Sequence, residues 1–137
     1  MMSATTTWKS DMAFDAEFDG HHVGMDASAE LGGKDSGFRP KSLLLAALSG
    51  CTGIDVVSLL KKMRVEYRAF RIRAEAETSD EIPKVFKSLH LVYEFEGADL
   101  PLDKLQRAVS LSQERYCSVS LMLRKAVPIT YEIRTAE

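Results

Sequence analysis

The stretch from Pro40 to Arg64, PKSLLLAALSGCTGIDVVSLLKKMR, constrains the fold more than any other part of the chain. Its apolar residues cover most of the circumference of a helix, which is typical of a helix surrounded by protein. Pro40 suits a first helical position, and Lys61, Lys62 and Arg64 place positive charge where the helix dipole is negative. The pattern therefore predicts one long, almost wholly buried central helix. Its apolar residues are Leu43, Leu44, Leu45, Ala46, Ala47, Leu48, Ile54, Val56, Val57, Leu59, Leu60 and Met63.

The middle of this helix, Ser49-Gly50-Cys51-Thr52-Gly53, contains two glycines. Each glycine costs a helix about 1 kcal/mol relative to alanine, so tertiary contacts have to compensate. Small residues on both sides of Cys51 allow another backbone to approach closely and leave space above the sulfur. The spacing alone leaves two interpretations open: close packing around an inert, buried cysteine, or a reactive thiol.

Composition excludes several classes of function. The 137 residues suit one domain, and 45% apolar and 28% charged residues are ordinary for a soluble globular protein. A formal net charge of -2 offers no basic surface for nucleic acid, and we find no uncharged apolar run long enough to indicate a membrane span. The N-terminus lacks the basic and apolar pattern of a secretion signal, so we expect a cytoplasmic protein. In that reducing setting a structural disulfide between Cys51 and Cys117 would be out of place, whereas a transient catalytic one would not.

The rest of the chain consists of groups of short strands separated by helices. Apolar and charged residues alternate in the first segments, which predicts an antiparallel meander with a turn at Asp19-Gly20, and a glycine-rich loop follows. His21 and His22 have no third ligand at useful spacing, so no metal site is expected. A slip in the alternation near Phe70 and Arg71 predicts a bulge. Strands grouped apart from helices indicate an α+β fold. The predicted strands are 5–10, 12–18, 22–28, 66–78, 85–96 and 127–134, and the later helices are 101–116 and 118–125.

The segment RPKSLLLAALSGCTGIDVVSLLKKMR, followed far downstream by ERYCSVSLML, resembles the OsmC/Ohr superfamily of osmotically induced and organic hydroperoxide resistance proteins. The resemblance covers essentially the whole chain and implies a single OsmC-like domain over residues 1–137. It also implies an intertwined homodimer in which antiparallel sheets pack around buried central helices.

The resemblance further implies thiol-dependent reduction of organic hydroperoxides, with Cys51 as the peroxidatic residue and Cys117 as the resolving one. A thiolate attacks the O–O bond to give a sulfenic acid, and a second thiol condenses with it to a disulfide. An external dithiol, which for some members of the superfamily is a lipoylated protein, then restores both thiols. No cofactor is implied.

Two departures from the family pattern concern the groups that activate the cysteine. Peroxidase members use an Arg on the N-terminal sheet and a Glu just after the proline of the loop, whereas here no Arg precedes Arg39 and Lys41 occupies the Glu position. Asp55, four residues after Cys51, would raise the thiol pKa by its charge unless it is paired, so we expect a cation near the sulfur. The candidates are Arg39, Lys41, Arg115 and Arg124, with Glu114 as a proton handler or an ion-pair partner; each could equally be an ordinary surface charge.

Two other functions fit the same pattern. The fold could serve as a binding module that retains small apolar or thiol-bearing ligands, with the cysteines as remnants. Alternatively, a disulfide between the cysteines could act as a redox sensor that alters the dimer. An ordinary pKa for both thiols would favour the binding module.

Overall fold

The computed structural model of the protein describes residues 1–137, which cluster into two units, Met1–Leu44 and Leu45–Glu137. The first unit contains a three-stranded antiparallel sheet in the order β1-β2-β3. Asp19 and Gly20 both have positive φ at the β2–β3 turn, as the Asp-Gly pair predicted. The meander is therefore confirmed. Its strands are β1 Thr5–Ser10, β2 Ala13–Phe18 and β3 His21–Met25.

The loop after β3 is organised by the buried carboxylate of Asp26. Its Oδ2 accepts hydrogen bonds from the Ser36 hydroxyl at 2.7 Å and from the backbone N–H groups of Ser36 and Lys34, both at 3.1 Å. Its Oδ1 accepts from the Ala27 N–H at 2.7 Å. These bonds, led by those from Ser36, hold the pKa of Asp26 well below its usual range. The glycine-rich segment is thus an ordered loop, with a short 3-10 helix at Ala29–Leu31.

The central helix α1 spans Pro40–Lys62 and ends before Arg64, which takes a left-handed conformation with φ 59°. One stripe of α1 is buried, whereas Ile54 and Val57 are 74% and 42% exposed. A single chain therefore buries one side of α1 and not the whole circumference that the apolar pattern predicted. The physical reason is that the chain supplies packing partners on one side only. The buried stripe consists of Leu48, Thr52, Val56 and Leu60.

By length and composition, α1 is also capable of crossing a membrane. The sequence argument against a span required an uncharged run, but an apolar helix of this length tolerates a single charge such as that of Asp55. The core helix of a soluble protein meets the same criterion. The apolar residues of this buried stripe, Leu48, Val56 and Leu60, belong to the hydrophobic core of the second unit, together with residues of β5 and α2.

The second unit contains a three-stranded sheet in the order β4-β5-β6, in which β4 Ala69–Thr78 and β5 Phe86–Glu96 are antiparallel. Strand β6, Ile129–Ala136, pairs with β5 in parallel, so this sheet is mixed and not antiparallel throughout. The helices between β5 and β6 provide the crossover that parallel pairing requires. The bulge predicted near Phe70 and Arg71 is wrong, because the register is continuous there and shifts only at the end of β4.

Between β5 and β6 the chain forms two helices separated by an irregular turn. The predicted helix over 101–116 is divided into α2, Leu102–Leu111, and a π-helical turn, Ser112–Tyr116. Cys117 then adopts an extended conformation and caps α3, Ser118–Arg124, by accepting the Ser120 N–H at its sulfur. Single π-helical turns are frequent at functional sites, and this one leads directly to the second cysteine.

Candidate functional site: a pair of thiols

The two cysteines, remote in sequence, are neighbours in the second unit. Cys51 lies half-buried in the middle of α1, and Cys117 is buried at the start of α3. The Cys51 sulfur lies 3.9 Å from the Ser118 hydroxyl oxygen, and the Cys117 thiol and the Val119 N–H both donate to it. Both cysteines are free thiols. The helix cap formed by Cys117 therefore brings three hydrogen-bond donors to the Cys51 sulfur.

These donors give the two thiols opposite properties. Burial raises the pKa of Cys51, but the hydrogen bonds from the Val119 N–H, the Cys117 thiol and the Ser118 hydroxyl outweigh burial, so that the pKa lies below its ordinary value. Burial raises the pKa of Cys117, and hydrogen bonds from the hydroxyl and N–H of Ser120 only partly offset it. Cys51 therefore has the lower pKa of the pair and Cys117 the higher one.

The cation expected next to Cys51 is not what lowers its pKa, since all three donors are uncharged. Arg39 pairs with Asp35 at 2.9 Å and donates to the Gly37 carbonyl at 3.2 Å within its own loop. Lys41 is exposed and precedes Cys51 by ten residues, about 15 Å along an unbroken helix.

The candidates next to Cys117 also lie outside the thiol pair. Glu114 and Arg115 are exposed, and the Arg115 guanidinium lies over the Tyr116 ring at 6.0 Å.

The expectation for Asp55 is confirmed in direction, because its charge raises the pKa of Cys51, although this is the smallest of the effects on that pKa. The Asp55 carboxylate accepts the Ser112 hydroxyl at 3.0 Å.

Beneath the thiols lies a buried polar cluster, which we call the Thr52 network. The Thr52 hydroxyl lies 2.7 Å from both the Tyr93 and the Ser112 hydroxyls, and the Gln113 amide nitrogen donates to it at 3.2 Å. The same nitrogen donates to the Tyr93 hydroxyl at 3.0 Å and to the Ser120 hydroxyl at 3.1 Å. Burial raises the pKa of Tyr93 to about 12, so its phenol is neutral. All buried side-chain polar atoms have a partner, so the cluster is fully satisfied.

Sequence reasoning missed the Thr52 network and the role of Arg124. Arg124 was a candidate cation for a thiol, but its guanidinium donates to the backbone carbonyl and the side-chain oxygen of Gln113, both at 3.0 Å. A signal was present, since Thr52 continues the buried stripe of α1 and Ser112 continues the apolar spacing of Leu105 and Val109. Polar residues at such positions indicate a buried hydrogen-bond cluster.

An open, apolar groove runs along the exposed side of α1, and its lining includes Gly50, the residue before Cys51, but neither cysteine. Its volume is about 710 Å³, and it is bounded by α1 and by Phe70, Arg71 and Ile72 of β4. The two glycines of α1 differ here: a Cβ on Gly53 would lie 3.2 Å from the Ile72 side chain, whereas nothing lies within 4 Å of one on Gly50. Gly53 therefore permits close packing against β4, and Gly50 faces open space.

The fold and the site define a class: an α+β protein in which a half-buried thiol on a central helix faces a second, buried thiol. Residues 33–132 match the family model described as OsmC-like protein. The chain is also 38% identical over 138 residues to Protein YhfA of Escherichia coli strain K12, covering 98% of this chain and all of YhfA. The chain therefore belongs to the OsmC-like family, which confirms the resemblance.

Solved structures of the same fold include an OsmC-like protein from Mycoplasma pneumoniae, with a TM-score of 0.84 and 14% identity over 100% of this chain and 98% of that one. The organic hydroperoxide resistance protein OhrB of Bacillus subtilis superposes with a TM-score of 0.67 and 21% identity, over 96% of this chain and 98% of its own. These likenesses confirm the α+β, OsmC-like fold class.

Proposed function

We propose that the protein reduces organic hydroperoxides, with Cys51 as the peroxidatic cysteine and Cys117 as the resolving cysteine. One observation carries the proposal: the Cys51 sulfur receives three hydrogen-bond donors, one of which is the thiol of Cys117. A lowered thiol pKa supplies the nucleophile, and an adjacent thiol supplies the group that resolves the product.

The chemistry proceeds in two steps. The Cys51 thiolate attacks the terminal peroxide oxygen, the O–O bond breaks, and an alkoxide leaves as the alcohol after taking a proton, so Cys51 becomes a sulfenic acid. The Cys117 thiolate then attacks the Cys51 sulfur and displaces hydroxide, which forms water with the proton that Cys117 released. The product is a Cys51–Cys117 disulfide. An external dithiol, such as that of a lipoylated protein, returns the two electrons, and a reducing cytoplasm suits this cycle.

The test is stopped-flow measurement of free-thiol loss when the reduced protein meets cumene hydroperoxide and, separately, hydrogen peroxide. We expect fast loss with the organic peroxide, no fast loss in Cys51→Ser, and accumulation of sulfenic acid in Cys117→Ser, whose hydroxyl can still donate to Cys51. Loss of wild-type thiol no faster than that of a small free thiol would overturn the proposal. It would favour the binding-module function, because the thiols would then have no role in peroxide reduction.

We also propose that the protein works as a homodimer in which a second copy covers the apolar groove. Ile54 is 74% exposed and Val57 42%, and Gly50, on the same face of α1, faces open space. An apolar face of this kind on a central helix is a common mark of an interface. A second copy would turn this open groove, which includes Gly50 next to Cys51 in the chain, into an enclosed apolar pocket, which favours an alkyl peroxide over hydrogen peroxide.

Light scattering coupled to gel filtration tests the dimer. We expect wild type to elute as a dimer and Ile54→Asp to elute as a monomer, because a carboxylate cannot be buried unpaired at an interface. Ile82→Asp is the matched control, since Ile82 is 90% exposed in the β4–β5 turn. A monomeric wild type, or a dimer unaffected by Ile54→Asp, would contradict the proposal.

A further inference from the structure

Arg124 holds the side chain of Gln113 in one orientation. One guanidinium nitrogen donates to the Gln113 backbone carbonyl and another to the Gln113 side-chain oxygen, both at 3.0 Å. Arginine has donors only, so the atom that faces it must be the amide oxygen. The amide nitrogen of Gln113 therefore points away from Arg124 and into the Thr52 network.

This orientation determines what the hydroxyl of Ser120 can do. The Gln113 nitrogen donates to the Ser120 oxygen at 3.1 Å, and both side chains are buried. The oxygen is thus occupied as an acceptor, and its single proton is directed to the Cys117 sulfur, which also accepts the Ser120 N–H at 3.4 Å. Cys117 therefore receives two donors from Ser120 in a site from which water is excluded.

We propose that Arg124, Gln113 and Ser120 are positioning residues for Cys117, which hold the Ser120 hydroxyl as a donor to the Cys117 thiolate while it attacks oxidised Cys51. The inference rests on the proposed function. Formation of the disulfide requires buried Cys117 to lose its proton, and a buried thiolate is costly without donors. The titratable groups that act on Cys117 are Cys51 on α1 and Tyr93 on β5, and neither is a cation. The hydroxyl and the N–H of Ser120 are thus the donors that stabilise Cys117 as a thiolate.

The step can be observed without peroxide. An aromatic disulfide reagent, dithio-bis-nitrobenzoate, reacts first with half-buried Cys51 and releases one coloured thiolate. Cys117 then attacks the Cys51 sulfur of the mixed disulfide, forms the Cys51–Cys117 bond, gives up its proton and releases a second coloured thiolate. The rate of this second phase measures attack by Cys117, and its absence in Cys117→Ser assigns it.

We expect Ser120→Ala to slow the second phase about tenfold at neutral pH, which corresponds to about one pKa unit. The difference in second-phase rate between Ser120→Ala and wild type should become smaller at alkaline pH, where Cys117 is a thiolate in both proteins. Arg124→Met should slow the same phase with the first phase unchanged, and the double variant should be no slower than Ser120→Ala, since both act through one chain of hydrogen bonds. Lys125→Met is the matched control, an exposed cation next to Arg124 that should leave both phases unchanged.

The proposal is overturned if wild type lacks a second phase, or if Ser120→Ala and Arg124→Met change its rate by less than about twofold while both remain folded. It is also overturned if the fold decreases in the second-phase rate of the two single variants multiply in the double variant, or if these decreases are as large at alkaline pH as at neutral pH. Because no peroxide enters this assay, its result is independent of the stopped-flow test. Loss of peroxide reactivity alone would refute the proposed function and leave the positioning of Cys117 standing.

Discussion

Replacement of Thr52 by valine should destabilise the protein while leaving the shape of its core unchanged. The Thr52 hydroxyl makes three hydrogen bonds, to Tyr93 and Ser112 at 2.7 Å and to Gln113 at 3.2 Å, and Thr52 is fully buried. Valine has the same branched shape, so no cavity forms, but each partner loses one bond. Every partner keeps another bond, which Ser112, for example, makes to Asp55. The cost per partner is therefore at the low end of the range, about 1 kcal/mol.

The three lost hydrogen bonds together cost about 3 kcal/mol, and burial of the additional methyl group offsets about 0.8 kcal/mol of this. We therefore expect the free energy of unfolding to fall by about 2 kcal/mol. For a chain of this size that corresponds to a decrease in Tm of about 4–8 °C. Urea unfolding followed by circular dichroism measures the free energy of unfolding directly. Thr135→Val, at an exposed position in β6, is the matched control and should change it by less than about 0.5 kcal/mol. A Thr52→Val variant as stable as wild type would refute the claim that the network is tightly satisfied.

Three further predictions concern charge and hydrogen bonding. Ser118→Ala should raise the pKa of Cys51 and slow its alkylation by iodoacetamide about two- to fivefold at neutral pH, because one donor to the thiolate is lost; an unchanged rate would show that Ser118 does not donate. Asp55→Asn should lower that pKa and speed alkylation, and a slower rate would contradict the sign given to the carboxylate. Asp26→Asn should increase hydrogen exchange at the Lys34 and Ser36 amides. Since the pKa of Asp26 is depressed in the folded state, its stabilisation is present above the unfolded pKa of about 4 and is lost as the pH falls through the folded value. The difference between variant and wild type should therefore shrink in acid, and a constant difference would count against the ionic role of Asp26.

Much of the fold could be predicted from local patterns. The strand β2, the Asp19-Gly20 turn and the Pro40 start of α1 each depend on residues close in sequence, and the structure confirms them. The bulge expected near Phe70 is wrong because β4 begins at Ala69. Tyr67 lies within the predicted strand 66–78 but precedes β4, so its position does not belong to the alternation of the strand. The parallel pairing of β6 with β5 had no local signal, because strand direction depends on the path of the intervening helices.

From the sequence alone came the α+β order of elements, the family, and the two cysteines as the candidate reactive residues. Only the tertiary structure decided that Cys51 and Cys117 are neighbours, and that uncharged donors at the start of α3 lower the pKa of Cys51 where a cation was expected. The sequence carries periodicity and residue type, which fix local conformation. A thiol pKa depends on desolvation and on donors within a few ångströms, and the folded chain brings these from distant segments.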